Sequence, residues 1–155
     1  MFPVNSIMNI RVFITLLLTA FTSALAAPPA TKSPTIDVER LVRAYGHLTN
    51  AEQMATGGVV LSKDALLTAG RAMSADALKK ECGAIADRIV ATLSSSPAGR
   101  RPETFAYVKN AMLRLTLDRE EPHGGHVEWA SKSRDKVSSA IRNDVKKIKD
   151  ALNTL

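Results

Sequence analysis

The sequence predicts an all-α protein, a four- to five-helix antiparallel bundle that follows a cleaved N-terminal signal peptide. Three observations predict this class. An apolar run near the N-terminus ends in small residues, and apolar residues then recur at spacings of three and four. The only cysteine is Cys82, which excludes an internal disulfide and leaves apolar burial to stabilise the fold. The predicted organisation is a signal peptide (1–26), a flexible proline-containing arm (27–34) and a helical bundle domain (35–155).

The leader has the three regions of a secretory signal. Arg11 precedes an apolar run at residues 12–20, and residues 24–26 read Ala-Leu-Ala. Small residues at these positions are what a signal peptidase recognises, which predicts cleavage after Ala26. Met8 is an alternative start, since the remaining leader is still a compact signal. We therefore expect a secreted, extracellular protein; the alternatives are delivery into a host cell and, in a bacterium, a periplasmic location.

The first predicted helix opens near Thr35, with acidic residues in its first turn. Its apolar face comprises Val38, Leu41, Val42, Tyr45 and Leu48. Thr49 and Glu52 have the spacing of a capping box, which predicts a kink or restart near Thr49. The glycine pair at residues 57–58 ends the helix.

Two shorter predictions follow. Residues 59–61 form an apolar run that fits a strand, but the spacing after Ser62, an N-cap candidate, favours a short helix. The face of that helix comprises Ala65, Leu66, Ala69 and Met73. Ser74 caps a longer amphipathic helix that ends at residues 94–97. The buried stripe of this helix comprises Leu78, Cys82, Ile85, Ile89 and Leu93.

The C-terminal half predicts two long helices. Pro102 begins the first, and a loop at residues 120–125 ends it. Its inner face comprises Phe105, Val108, Met112 and Leu115, widened by Leu113 and Leu117. No breaker follows Gly125, which predicts a single final helix from Val127, about 28 residues and about 42 Å long. Its stripe comprises Ala130, Val137, Ile141, Val145, Ile148, Leu152 and Leu155.

The charge and the histidines give few functional signals. The net charge of +6 favours weak attraction to anionic surfaces, yet signs are mixed and aromatic residues make up 5%, so we expect no nucleic-acid binding. His123 and His126, near Glu120, Glu121 and Glu128, have the ligand types of a zinc or copper site. They lack its fixed spacing, and a polar loop is the favoured interpretation. With no catalytic motif in the chain, we predict no catalytic, cofactor-binding or metal-binding residue.

The last helix carries the predicted partner site. Its basic face is either simply solvated or docks on a protein partner or an anionic lipid surface. Trp129 is either a half-buried residue sealing the bundle end or an interface anchor. The predicted partner-binding residues are Trp129, Lys132, Lys136, Arg142, Lys146 and Lys149. We predict that Cys82 is a buried thiol, and the alternative is a covalent dimer through Cys82.

Small size, a signal peptide and the absence of enzyme motifs resemble, in general style, the secreted effector-like proteins of fungi and other colonisers. The predicted function is therefore a secreted, non-enzymatic interaction protein that binds a host or neighbouring-cell protein through a helix face. The alternative is a secreted carrier or surface binder of apolar small molecules or lipid. Apolar residues beyond a minimal core suggest it: Val59, Val60, Leu113 and Leu117.

Overall fold

Helices provide all the regular secondary structure of the part of the chain that the computed structural model describes, residues 37–122 and 127–155. No strand occurs in these two ranges. The helices are α1 (Val38–Thr56), α2 (Lys63–Arg71), α3 (Ala75–Ser95), a 3₁₀ helix (Pro97–Arg100), α4 (Pro102–Leu117), α5 (Val127–Ala130) and α6 (Arg134–Thr154). The predicted signal peptide and proline-containing arm lie outside the described residues.

Helix ends follow local chemistry. Ser62 and Ser74 are extended N-caps whose side chains accept from the Ala65 and Ala77 amides, at 3.3 and 3.2 Å. Both caps were predicted. α1 ends at Gly57, whose φ of 80° is the left-handed conformation that glycine adopts without a steric penalty. At the other end of α1 the N-cap is Asp37, which the sequence analysis had placed in the first turn.

The core lies between the long helices. α1 packs most extensively against α4 and then α3, and α6 covers α4 and α3 from the other side. The apolar stripes supply the buried residues, which include Leu41, Leu48, Leu78, Ile85, Ile89, Val108, Ile141 and Ile148. Cys82 is fully buried among them, as its place on the stripe predicts, and burial raises its thiol pKa to about 12. An all-helical fold around one apolar core is thus confirmed for the described residues.

Two alternatives raised for α1 and the segment after it were wrong: a new helix at Thr49 and a strand at residues 59–61. α1 continues through Thr49, whose hydroxyl donates to the Tyr45 carbonyl at 2.9 Å within the helix. This hydroxyl does not cap a new helix. The short helix favoured after Ser62 is confirmed as α2, and residues 59–61 form no strand. They connect α1 to α2, and the Val59 side chain is exposed.

The prediction of one final helix was also wrong. The chain leaves helical geometry at residues 131–133, and α6 begins after Ser133, whose backbone is extended. Serine favours caps and turns over helix interiors because its hydroxyl competes for backbone groups, which explains a break at Ser131-Lys132-Ser133. Ala130, predicted on the inner stripe, is exposed as a result.

Burial departs from the periodicity at a few other positions. Val38 and Leu117, predicted on inner faces, are exposed because they lie at helix ends, beyond the packed neighbours. Asp144, an acidic residue among the basic residues of the last helix, is only 7% exposed. Burial raises the pKa of this carboxyl, opposed by Lys147, whose Nζ lies 3.7 Å away. A search of the described helices finds none with the length and apolar content of a membrane span.

Candidate ligand-binding cleft

Two buried asparagines hold two loops in the same way. The Asn50 amide donates to the Leu61 carbonyl at 3.2 Å and accepts from the Leu61 amide at 2.8 Å. Asn110 makes the same pair of bonds with Glu121, at 3.1 and 2.8 Å. Each asparagine reaches the backbone eleven residues later, from a helix into the loop that follows it. These paired bonds fix the loops at residues 57–62 and 118–122.

The resemblance extends along both helices. When the sequences of α1 and α4 are aligned so that Asn50 matches Asn110, buried Leu48 matches buried Val108. Other pairs brought together are Ala44 with Thr104, Tyr45 with Phe105, His47 with Tyr107, Ala51 with Ala111 and Ala55 with Leu115. α1 and α4 therefore bury many of the same positions, with half-buried Gln53 against buried Leu113 as an exception, and each is followed by a clamped loop.

A cleft of about 520 Å³ opens between α1, α2, α4 and the two clamped loops. Its described lining divides into two chemical classes. The apolar lining comprises Val60, Leu61, Leu66 and Leu67, and the charged lining comprises Arg43, His47, Lys63, Glu120 and Glu121. Gly46, Asn50, Tyr107, Asn110 and Pro122 complete it. The loop after α1 thus contributes apolar side chains where the loop after α4 contributes carboxylates.

Glu120 is the centre of the charged lining. Its Oε1 lies 3.1 Å from His47 Nε2, 2.9 Å from Arg114 Nε and 3.9 Å from an Arg43 nitrogen. Burial alone would raise the pKa of this carboxyl, but the hydrogen bonds from Arg114 and His47 outweigh it and lower the pKa to about 2. Glu120 is therefore ionised at physiological pH, and its charge is neutralised by its neighbours.

Glu121 and the two rings of His47 and Tyr107 are the other notable groups of the cleft lining. Lys109 Nζ lies 2.7 Å from the Glu121 carboxylate and Arg119 lies 3.6 Å away, and the hydrogen bond from Lys109 lowers the Glu121 pKa. The rings of His47 and Tyr107 lie 6.4 Å apart at a tilt of 42°, and burial raises the Tyr107 pKa. The described lining contains no serine, threonine or cysteine to act as a nucleophile beside His47.

The predicted partner-binding residues do not form one cluster. Trp129 is half-buried, with its ring 4.4 Å from that of Phe105, and it lines a shallow depression of about 500 Å³ with Lys132 and Lys136. Further along α6, Arg142 contacts the Ser94 hydroxyl at 3.5 Å. Lys149 pairs with Asp87 of α3 at 2.7 Å. Lys146 is exposed.

The other candidate features are the histidine loop and the residues that suggested a carrier. His123 and His126 lie outside the described residues. Within residues 37–122 and 127–155, no group of three or more histidine, cysteine, aspartate or glutamate side chains is placed to hold a metal ion. The carrier hypothesis named Val59, Val60, Leu113 and Leu117. Of these, only Val60 lines the cleft, while Leu113 is buried.

The sequence analysis missed most of the cleft. His47, Asn50 and Asn110 carried no motif, and Glu120 entered only as a neighbour of the histidine loop. One signal was present in the sequence. Asn-Ala occurs at residues 50–51 and 110–111, in each case two residues after an inner-face position. A polar residue recurring beside an apolar stripe indicates a buried amide that needs backbone partners.

Comparisons with protein families, curated proteins and solved structures find no match to this chain. The function is therefore argued from the cleft and the surface themselves.

Proposed function

We propose that this protein is a non-enzymatic binding protein that holds an apolar small molecule in the cleft. The observation that carries the proposal is the cleft itself, whose volume of about 520 Å³ falls within the range of small-molecule sites. Such sites combine a mainly apolar lining with a few polar groups that fix orientation. The apolar and charged linings supply these two components.

Two side chains of the apolar lining are exposed although their loop is held in place by a buried asparagine. Val60 and Leu61 are 39% and 44% exposed, and the Asn50 clamp holds Leu61 in place. Large apolar side chains held in water by a buried hydrogen-bond pair are typical of a binding surface, because a ligand would cover them. This supports the carrier function over a purely structural role for the loop.

The test uses Nile red, a neutral dye whose fluorescence rises in apolar surroundings. We expect saturable binding to protein purified from cells that express the full chain. Leu61→Glu should abolish it, because a carboxylate in the apolar lining must be desolvated by the bound dye. Leu117→Glu is the matched control, since Leu117 is 59% exposed and lies outside the cleft. Absent saturation, or equal loss in both variants, contradicts the proposal.

A second candidate function is docking of α6 on an acidic protein partner. The burial of Asp144 removes one acid from the outward face, which makes that face more basic than the sequence alone indicates. Lys132 and Lys136 flank the half-buried Trp129, an arrangement common at interfaces. This candidate continues the effector-like interpretation, in which the partner belongs to a host or neighbouring cell.

Affinity capture tests the second candidate. A Lys132→Glu/Lys136→Glu variant should lose a partner that the unchanged protein retains. A Lys79→Glu/Lys80→Glu variant, with the same charge change on α3, should keep it. Capture that survives both changes argues against α6, and binding to anionic vesicles alone would assign the face to lipid instead.

Export as a bundle without its leader is part of the same proposal. Intact-mass analysis of protein from the medium should give a chain that begins at Ala27. A retained leader would contradict secretion by this route.

The same material on a non-reducing gel tests the covalent dimer, which requires exposure of the buried Cys82 thiol.

A further inference from the structure

We infer that the cleft selects an amphiphile with a single anionic head, such as a carboxylate on an apolar chain. This inference rests on the proposed binding function and adds the class of ligand. It comes from the charges that line the cleft and from the partners that each of them already has.

Both lining carboxylates are neutralised by bases. Glu120 Oε1 contacts both His47 Nε2 and Arg114 Nε, so this carboxylate already has basic partners. Glu121 is paired with Lys109 and Arg119, neither of which lines the cleft. A cationic head would have to displace these contacts, which makes it a poor competitor for the site.

The cationic side chains that line the cleft are less fully paired with carboxylates than the carboxylates are with bases. No carboxylate of the described residues lies within ion-pair distance of Lys63, and Asp64 beside it does not line the cleft. Arg43 contacts Glu39 at 3.3 Å and Glu120 at 3.9 Å, but both carboxylates are shared with a second arginine: Glu39 with Arg71 at 2.9 Å and Glu120 with Arg114 at 2.9 Å. The surroundings of the cleft therefore hold surplus positive charge, which favours an anion.

The surroundings of Lys63 also suit a ligand with an anionic head and an apolar chain. It is the first residue of α2, where the helix dipole adds to the attraction for an anion. Leu66 and Leu67 follow on the same helix and belong to the apolar lining. A carboxylate paired with Lys63 would thus place its attached chain beside apolar side chains.

The experiment compares three ligands with the same ten-carbon chain: decanoate, decanol and decyltrimethylammonium. Each is used to displace Nile red below its micelle concentration. We expect decanoate to displace the dye at the lowest concentration. Lys63→Gln should weaken decanoate about five-fold, as expected for one partly exposed ion pair, and leave decanol unchanged. Lys146→Gln on α6 is the control with the same loss of charge.

The outcomes separate the two levels of the proposal. Equal displacement by decanoate and decanol, or strongest displacement by the ammonium compound, overturns the anionic head but leaves the cleft as a binding site. Unchanged decanoate affinity in Lys63→Gln also overturns it. If Nile red itself shows no saturable binding, the proposed function fails, and this inference fails with it.

Discussion

Two helix–loop segments of the molecule, α1 with residues 57–62 and α4 with residues 118–122, share a frame and differ in chemistry. Both helices bury matching positions against the core, and both use an asparagine to clamp the loop that follows. After α1 the clamped loop offers Val60 and Leu61 to the cleft, and after α4 it offers Glu120 and Glu121. In each segment the helix and its clamped loop present two consecutive side chains to the cleft. The identity of those residues then decides which lining is apolar and which is charged.

The largest expected effect comes from removing a clamp. Asn50→Ala and Asn110→Ala should each lower the free energy of unfolding by about 1–3 kcal/mol, because each leaves backbone groups without their buried partner. Urea denaturation measures this. Hydrogen exchange shows whether the two clamps are independent. Asn50→Ala should speed exchange of the Leu61 amide only, and Asn110→Ala that of the Glu121 amide only.

Asn143→Ala is the matched control for both clamps, since Asn143 is exposed on α6. It should change stability by less than about 0.5 kcal/mol. Faster exchange of both loop amides in either clamp variant would show that the segments open together, and the comparison between them would no longer hold.

The charged lining gives the next effect. Glu120→Gln should lower the free energy of unfolding by about 1–2 kcal/mol at neutral pH, because hydrogen bonds to an ionised group are lost. The folded pKa of about 2 lies below the ordinary value of 4.5, so the carboxylate contributes stability above pH 4.5. That contribution declines as the pH falls through the folded pKa near 2.

Urea titrations of Glu120→Gln and the unchanged protein at several pH values measure this difference. The gap between them should be constant above pH 4.5 and narrow toward pH 2. Leu61, at the position that corresponds to Glu121, gives a control in the other loop, since Leu61→Gln introduces no titrating group. A gap for Glu120→Gln that stays constant down to pH 2 would contradict the assigned pKa.

The smallest effect tests the match between the two helices. The shift that pairs the asparagines brings Gly46 onto Ala106. Gly46→Ala should raise the free energy of unfolding by about 0.5–1 kcal/mol, since glycine is less favourable than alanine in a helix. The added Cβ would lie 3.6 Å from the Leu66 Cβ, an ordinary contact.

Gly70→Ala is the control for that substitution. There the added Cβ would lie 3.1 Å from Val42 and 3.2 Å from Tyr45, and we expect no gain in stability. Thermal denaturation distinguishes the two. Equal gains in stability at both positions would mean that helix propensity alone determines the effect. The close approach of α2 to α1 would then impose no steric penalty on the added Cβ.

Most helices could be predicted from local pattern. Ser62, Ser74 and Pro102 mark the starts of α2, α3 and α4, and the stripe of α3 is buried throughout. The errors fell where two local signals competed. Thr49 bonds within its helix instead of capping a new one, and the serines at 131 and 133 end a helix that periodicity alone continues. Periodicity reports which face is apolar and does not report where the backbone leaves the helix.

The sequence by itself determined an all-helical fold, a single buried thiol and one apolar stripe for each long helix, because these depend on residue spacing and on backbone bonds that close within a few residues. Only the tertiary structure decided that Asn50 and Asn110 hold the loops beyond them, and that His47 and Arg114 meet at Glu120. It also decided that Asp144 is buried. The asparagine contacts depend on the path of the loop after each helix, and the other features depend on how helices distant in sequence pack together; no local spacing encodes either.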